Sequence, residues 1–272
     1  NITGNFNVAV GYNSMLTNVT AHRSTAVGYE ALKTSNVSGN SNAYNVGVGY
    51  QAGLSLTTGT VNTFVGPKAG DATTTGSYNT AIGLNSLGAN TTASENTSVG
   101  ANSLDANTTG PDNAAFGFNS LTTNTTGGSN VATGHQSLQN NTTGSSNVAV
   151  GRNALQANTT ADSNTAVGYV ALTANTTGAE NVALGHEAFK ANTTASTGVA
   201  IGKSALKANT TGANNVGIGY LALTTNTTGA DNVAVGRNAL ELNTTASNNT
   251  AIGKEALYAN TTGDALVAVG VE

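Results

Sequence analysis

The sequence predicts an all-β protein, a parallel β-solenoid built from about sixteen coils of 17 residues. A short hydrophobic pattern that ends in glycine recurs along the chain, and its glycines are 17 residues apart over most of the length. The residues before each glycine alternate in size with the period of a β-strand. One coil cannot bury its own apolar residues, but stacked coils can, because equivalent side chains then pack in columns about 4.8 Å apart.

The glycine that closes each copy of the pattern, called here the coil glycine, defines the period. The spacing of coil glycines is 17 residues from Gly11 to Gly28 and in every step from Gly49 to Gly270. Between Gly28 and Gly49 it is 21, which places a four-residue insertion around residues 35–43. We therefore expect residues 1–272 to form a single repeat domain with that insertion, a stacked rod on the order of 75 Å long.

Three hydrophobic positions define the predicted core and the predicted interface. The residue before the coil glycine is Val, Ile or Leu in almost every copy, the one before that is mostly Ala, and Leu follows four residues after the glycine. If Val and Leu fill the coil, as expected for Val167 and Leu155, the alternation of a strand turns the alanine outward. A recurring outward alanine indicates close packing against another chain. The expected oligomer interface consists of Ala149, Ala166, Ala183, Ala200, Ala234 and Ala251.

Asparagine forms two further columns. One precedes the strand by a residue, as at Asn164, and the other begins the recurring Asn-Thr-Thr-Gly or Asn-Thr-Thr-Ala turn, as at Asn158. Stacked asparagines can hydrogen-bond to their copies in neighbouring coils and to turn backbone. Every Asn-Thr-Thr is formally a glycosylation acceptor, but glycans about 4.8 Å apart would collide. We expect a structural ladder with sparse glycosylation at most.

Composition and spacing argue against several classes of function. Nine Lys and Arg in 272 residues, with a net charge of −4, form no basic stripe for nucleic acid. No apolar run approaches the roughly 20 residues that span a bilayer, so we expect no membrane insertion. The chain has no cysteine, and its three histidines lie in different coils, too far apart to share a metal. We expect neither an enzyme nor a cofactor, and a chain that starts at Asn1 after processing or as a fragment.

The residue after each coil glycine is the candidate ligand contact. This position varies more than the others and is often aromatic or basic, which suits contact with a glycan or a receptor; the alternative is that these side chains simply cover the corner. The best candidates are Tyr169, His186, Lys203, Tyr220 and Arg237.

The phrase Asn-x-Ala-Val/Ile-Gly-x-x-Ala/Ser-Leu resembles the head repeats of YadA-like trimeric autotransporter adhesins. Together with Asn-Thr-Thr-Gly it also resembles repeats of phage tail-fibre proteins. The likeness covers nearly the whole chain and is weakest from Ser35 to Asp71. It implies a left-handed β-roll, a homotrimer, and a role in adhesion or host recognition at a cell surface or on a virion. The 17-residue repeat is longer than the usual adhesin head repeat, and neither the coiled-coil stalk nor the membrane anchor of those adhesins is found in this sequence.

Two other functions fit the pattern. Threonine columns such as Thr108-Thr109 and Thr125-Thr126 could order water on an ice-binding face, although adjacent threonines in a turn do not readily form a flat array. The chain could also be a self-assembling extracellular filament with no specific receptor.

Overall fold

A computed structural model of the chain describes residues 3–39 and 41–271. It shows an all-β parallel β-solenoid with a 17-residue repeat, as the sequence predicts, and about fifteen turns where the sequence predicts about sixteen. Residues 3–39 and 41–271 contain no helix that is long and apolar enough to cross a membrane.

The chain divides into two compact units, Asn1–Thr133 and Gly134–Glu272, each built from the same coil. Every coil contributes one strand of three residues. The strands of the first unit are β1 (Val8–Val10), β2 (Thr25–Val27), β3 (Val46–Val48), β4 (Thr63–Val65), β5 (Thr80–Ile82), β6 (Thr97–Val99), β7 (Ala114–Phe116) and β8 (Val131–Thr133). Those of the second are β9 (Val148–Val150), β10 (Thr165–Val167), β11 (Val182–Leu184), β12 (Val199–Ile201), β13 (Val216–Ile218), β14 (Val233–Val235), β15 (Thr250–Ile252) and β16 (Val267–Val269).

Within each unit, strands that follow one another in the chain pair in parallel. Ala166 lies beside Ala183 in the second unit, and Ala81 lies beside Ser98 in the first, so each residue meets the residue 17 positions later. The β2–β3 pair is the exception, since Thr25 lies beside Val46. The insertion around residues 35–43 is therefore accommodated between these strands without breaking their pairing; residue 40 lies outside the described residues.

The strand faces the opposite way from the sequence-based expectation. Ala149, Ala166, Ala183, Ala200, Ala234 and Ala251 are 0% exposed and point into the coil. The first and third residues of the strands, such as Val182 and Leu184, point outward and are half-buried or exposed. The expected oligomer interface on these six alanines is thus wrong, and so is the expected burial of Val167, which is half-buried.

The small central residue is needed because the coil is narrow and leucine already fills it. Leu155 is fully buried, as expected, and so is Ala154 beside it. Leu155 has a positive φ of 52°, a conformation that most coils repeat at this position. Left-handed backbone costs a non-glycine residue about 1–2 kcal/mol, while full burial of a leucine side chain contributes about 1.5–3 kcal/mol. Burial therefore offsets the unfavourable backbone.

The coil glycine is required on two grounds. Gly134 has a φ of 133°, and a Cβ added there would lie 2.7 Å from the carbonyl carbon of Gly151 in the next coil. Neither the backbone angle nor the space admits a side chain. The strand therefore ends at this residue in every coil, and the chain turns.

The asparagine ladders are confirmed. In the column before the strand, the Asn164 side-chain oxygen accepts the Asn181 backbone N–H at 3.0 Å, and its amide donates to the Gly178 carbonyl at 2.9 Å. In the turn column, the Asn158 amide donates to the Asn141 side-chain oxygen at 2.8 Å and to the Ala161 carbonyl at 3.0 Å. These bonds satisfy fully buried amides, so the asparagines hold successive coils together.

Candidate functional site

The five predicted contact residues form one exposed column in the second unit. Tyr169, His186, Lys203, Tyr220 and Arg237 are all exposed. They lie in consecutive coils, and the backbone ladder beside them sets their alignment: Glu187 N–H donates to the Tyr169 carbonyl at 3.0 Å, and Ser204 N–H donates to that of His186 at 2.9 Å. This set, together with the equivalent residue of every other coil, is called the corner column below.

Neighbouring side chains of the corner column contact one another. The rings of Tyr169 and His186 stack with centroids 5.2 Å apart, and Lys203 Nζ lies 5.9 Å from the centroid of the Tyr220 ring. Arg237 Nη2 lies 3.3 Å from Glu255 Oε1. Because stacking covers ring faces, the column presents ring edges, hydroxyl, imidazole and cationic groups to solvent. These groups favour hydrogen bonding to a polar ligand over stacking on a flat one.

A second aromatic stretch of the corner column lies in the first unit. The rings of Tyr12, Tyr29 and Tyr50 stack on one another with centroid separations of 5.5 and 5.4 Å. The five-residue candidate set omitted them, although the same sequence signal, an aromatic residue after the coil glycine, marks them.

The outward side of the strands forms an apolar surface, called here the valine face, which consists of the first and third residues of each strand. In the second unit it includes Val182, Leu184, Val199 and Ile201, which the register places in two continuous columns. Threonine replaces some of the valines, as at Thr165 and Thr250. No charged residue occupies either position in any of the sixteen strands.

A groove in the second unit was missed by the sequence analysis. It has a volume of about 530 Å³, and its lining includes Ala174, Ala191 and Ala208 together with Lys190 and Lys207. Glu187 bridges the two lysines, with Lys190 Nζ 2.8 Å from Oε1 and Lys207 Nζ 2.8 Å from Oε2. Hydrogen bonds from the two ammonium groups lower the pKa of the Glu187 carboxyl to about 2. We call this site the lysine groove.

Acidic and histidine residues form no comparable cluster. Within residues 3–39 and 41–271, no group of three or more His, Cys, Asp or Glu side chains could hold a metal ion. Glu95 and Asp112 lie in adjacent coils, and a hydrogen bond from protonated Glu95 to Asp112, together with the like charge of Asp112, raises the pKa of the Glu95 carboxyl. Both side chains are exposed.

The two threonines of the turn differ in their surroundings. Thr176 Oγ1 donates to the Thr193 carbonyl at 3.0 Å, and Thr193 Oγ1 donates to that of Thr210 at 3.2 Å. The second threonine of each turn, such as Thr177 or Thr194, is exposed. A single column of threonines therefore faces solvent, since the hydroxyls of the other column bond to backbone carbonyls.

No protein-family model matches the chain, and no curated protein matches its sequence.

Proposed function

We propose that the chain is a structural segment of a fibre or adhesin, part of a virion tail fibre or a bacterial surface structure, that attaches to a host or surface in the extracellular space. The observation that carries the proposal is the valine face. A continuous apolar stripe of this kind is rarely left exposed on a monomer, and here it repeats coil after coil. A repeated self-association surface is typical of a chain that builds a multi-chain fibre.

The chain assembles through the valine face as a homotrimer. The apolar columns are in register along the face, so several copies aligned side by side would bury them continuously. The valine face indicates only that the chain binds other copies of itself. That there are three copies is what the resemblance to trimeric adhesin heads implies. This interface takes the place of the buried alanine column.

Sedimentation of the wild-type protein and of two double variants tests the assembly. Val182→Lys with Val199→Lys places two charges on the valine face and should convert a trimer to monomers or to aggregate. Thr177→Lys with Thr194→Lys places the same charges on the exposed threonine column and should leave the trimer intact. A wild-type protein that is monomeric at micromolar concentration would refute this assembly.

Attachment uses the corner column, with a glycan or protein receptor as the partner. Its exposed mixture of hydroxyl, imidazole and cationic groups supports this role. Alanine at Tyr169, His186, Lys203, Tyr220 and Arg237 together should reduce binding to cells or immobilised glycans without changing the thermal melt. Alanine at five exposed threonines, Thr160, Thr177, Thr194, Thr211 and Thr228, is the matched control. Full binding by the corner-column variant would place the attachment site elsewhere.

Ice binding is the second candidate, and the exposed threonine column is the observation that favours it. One column orders water along a line, whereas an ice surface is matched by an array in two directions. A thermal-hysteresis assay separates the two functions directly. A filament without a receptor is the remaining alternative; it would assemble in the sedimentation experiment and fail to bind in the attachment assay.

A further inference from the structure

We propose that the lysine groove is a binding site for a small amphipathic anion, a molecule with an apolar body and one anionic head group. The groove volume of about 530 Å³ lies within the range of about 300–1,000 Å³ typical of small-molecule sites. The groove belongs to the second unit and uses neither the valine face nor the corner column.

The floor of the groove suits an apolar body. It carries the methyl groups of Ala174, Ala191 and Ala208, which occupy the same position in three consecutive coils. The backbone beneath is already bonded, since Ala174 N–H donates to the Lys190 carbonyl at 3.2 Å and Ala191 N–H donates to that of Lys207 at 3.0 Å. The floor therefore offers apolar contact over about 10 Å, three coils at the usual strand spacing.

The two lysines provide the charge. Each ammonium group has three N–H donors, and one ion pair to Glu187 leaves donors free on both. Two positive charges and one negative charge leave an excess of one positive charge at the middle of the groove; Glu241, whose backbone carbonyl accepts a hydrogen bond from Thr225, lies at one end. The lysine side chains are 40% and 43% exposed, whereas Glu187 is 18% exposed. An incoming anion therefore meets the ammonium groups first, while the aliphatic stems of the lysines extend the apolar wall.

The first unit contains the equivalent Glu–Lys pair with a neutral second partner, which comes from a different position of the next coil. Glu30 Oε1 lies 2.7 Å from Lys33 Nζ, and Glu30 Oε2 accepts a hydrogen bond from Gln51 Nε2 at 3.0 Å. One lysine and one neutral donor are thus enough to satisfy both carboxylate oxygens. The second lysine at Glu187 is not needed for that purpose, and its charge is available to a ligand.

The sequence around the groove also departs from the repeat. Lys190 and Lys207 are the only pair of lysines at equivalent positions of consecutive coils in the sequence. The coil that carries Glu187 and Lys190 has Phe189 where most coils have leucine, and Gly198 where most have asparagine. Phe189 is fully buried, and a Cβ added at Gly198 would collide with its ring, so these two departures compensate each other in the core. The paired lysines are the departure in this region that core packing does not explain.

Titration of the intact protein with decanoate, kept below its micelle concentration, tests the site. Calorimetry should show saturable binding of one decanoate per chain, and NMR shifts should centre on Ala174, Ala191 and Ala208. Decanol and acetate, which each lack one half of the proposed ligand, should bind more weakly.

Three substitutions separate the contributions of charge and floor. Lys207→Gln removes one ammonium group while Lys190 still pairs with Glu187, and should lower decanoate affinity about tenfold, the loss of one charge-assisted contact; circular dichroism checks that the variant remains folded. Glu187→Gln should raise the affinity, because it removes the competing carboxylate. Ala191→Leu should abolish binding by filling the groove. Lys254→Gln, on the corner column, is the control for loss of a lysine elsewhere.

The proposal is overturned if the wild-type protein shows no saturable decanoate binding, or if Lys207→Gln and Lys254→Gln bind decanoate equally well. It is also overturned if Lys207→Gln changes the oligomeric state, since the groove would then be occupied by a second copy of the chain.

Discussion

The ring of Phe64 fills the space in which a side chain at Gly70 would lie. A Cβ added to Gly70 would be 2.5 Å from Cε1 of Phe64, and one added to Gly53, in the preceding coil, would be 2.7 Å from Cδ2. Phe64 occupies the central strand position that holds a small residue in the other coils, and the two glycines occupy the leucine position. One large side chain thus replaces two leucines with the core volume approximately conserved.

Gly70→Leu alone should destabilise the protein by about 1–3 kcal/mol through overpacking. The backbone is not the obstacle, because φ is 59° at Gly70 and 55° at Leu87, the equivalent leucine of the next coil. Phe64→Ala combined with leucine at both glycine positions should recover most of the loss. Denaturant melts of the single and combined variants measure the coupling, and purely additive effects would contradict the packing described.

Removal of one whole coil should preserve the fold. Deletion of residues 147–163 leaves every later strand in register, because paired residues in this unit are 17 positions apart. Deletion of the eight residues 147–154 shifts all later strands by half a coil. Circular dichroism and melting should show a cooperative, shorter solenoid in the first case only; equal behaviour of the two proteins would argue against stacked coils.

Substitution by threonine should distinguish the inside of the coil from its outside. Leu155 is fully buried, so Leu155→Thr places a hydroxyl in the core and should cost about 2–5 kcal/mol, as other large-to-small core changes do. Val167→Thr should change stability little, because Thr133 naturally occupies the equivalent outward position in β8. If both substitutions lowered the free energy of unfolding by similar amounts, Val167 would have to be buried in the coil.

Adjacent acceptor asparagines should differ in glycosylation. Asn140 and Asn141 each begin an Asn-x-Thr sequence, but Asn140 is exposed while Asn141 is fully buried. The Asn141 amide donates to the Gly144 carbonyl at 2.8 Å, so a glycan there is incompatible with the folded coil. Mass spectrometry of folded protein secreted from a glycosylating host should find glycan at Asn140 and not at Asn141. Glycan at Asn141 in folded material would contradict the buried ladder.

The Glu187 ion pairs should stabilise the protein in a defined pH range. The pKa of this carboxyl falls from 4.5 to about 2 on folding, so the stabilisation is fully present above pH 4.5 and is lost as the pH falls through 2. The melting-temperature difference between wild type and Glu187→Gln should therefore be constant above pH 5 and shrink in acid. Glu180→Gln, at an exposed position, controls for loss of a carboxylate. If the melting-temperature difference between wild type and Glu187→Gln grew in acid, the ion pairs would not be the source of the stabilisation.

The sequence was sufficient for the period, the position of the strand, the buried leucines and the asparagine ladders, because each depends on spacing alone. It could not determine which face of the strand points into the coil. Alternation shows that Ala166 and Val167 point to opposite sides, but the choice of side depends on the width of the coil. The lysine groove was also missed, since Glu187 meets Lys207 only after the next coil is stacked.

The asparagine column before the strand makes the two ends of the solenoid chemically different. Side-chain oxygens of this column accept from the coil that follows: Asn164 Oδ1 accepts from Asn181 N–H, and its amide donates to Gly178 of the same coil. At the open end of a partly folded stack this side chain lacks its partners in the next coil, so hydrogen bonds that contribute about 0.5–1.5 kcal/mol each are not yet made. That loss is the same after three coils or ten, while burial accumulates with each addition. Short stacks are consequently disfavoured and long ones self-propagating, the behaviour of a nucleated polymer contained within a single chain.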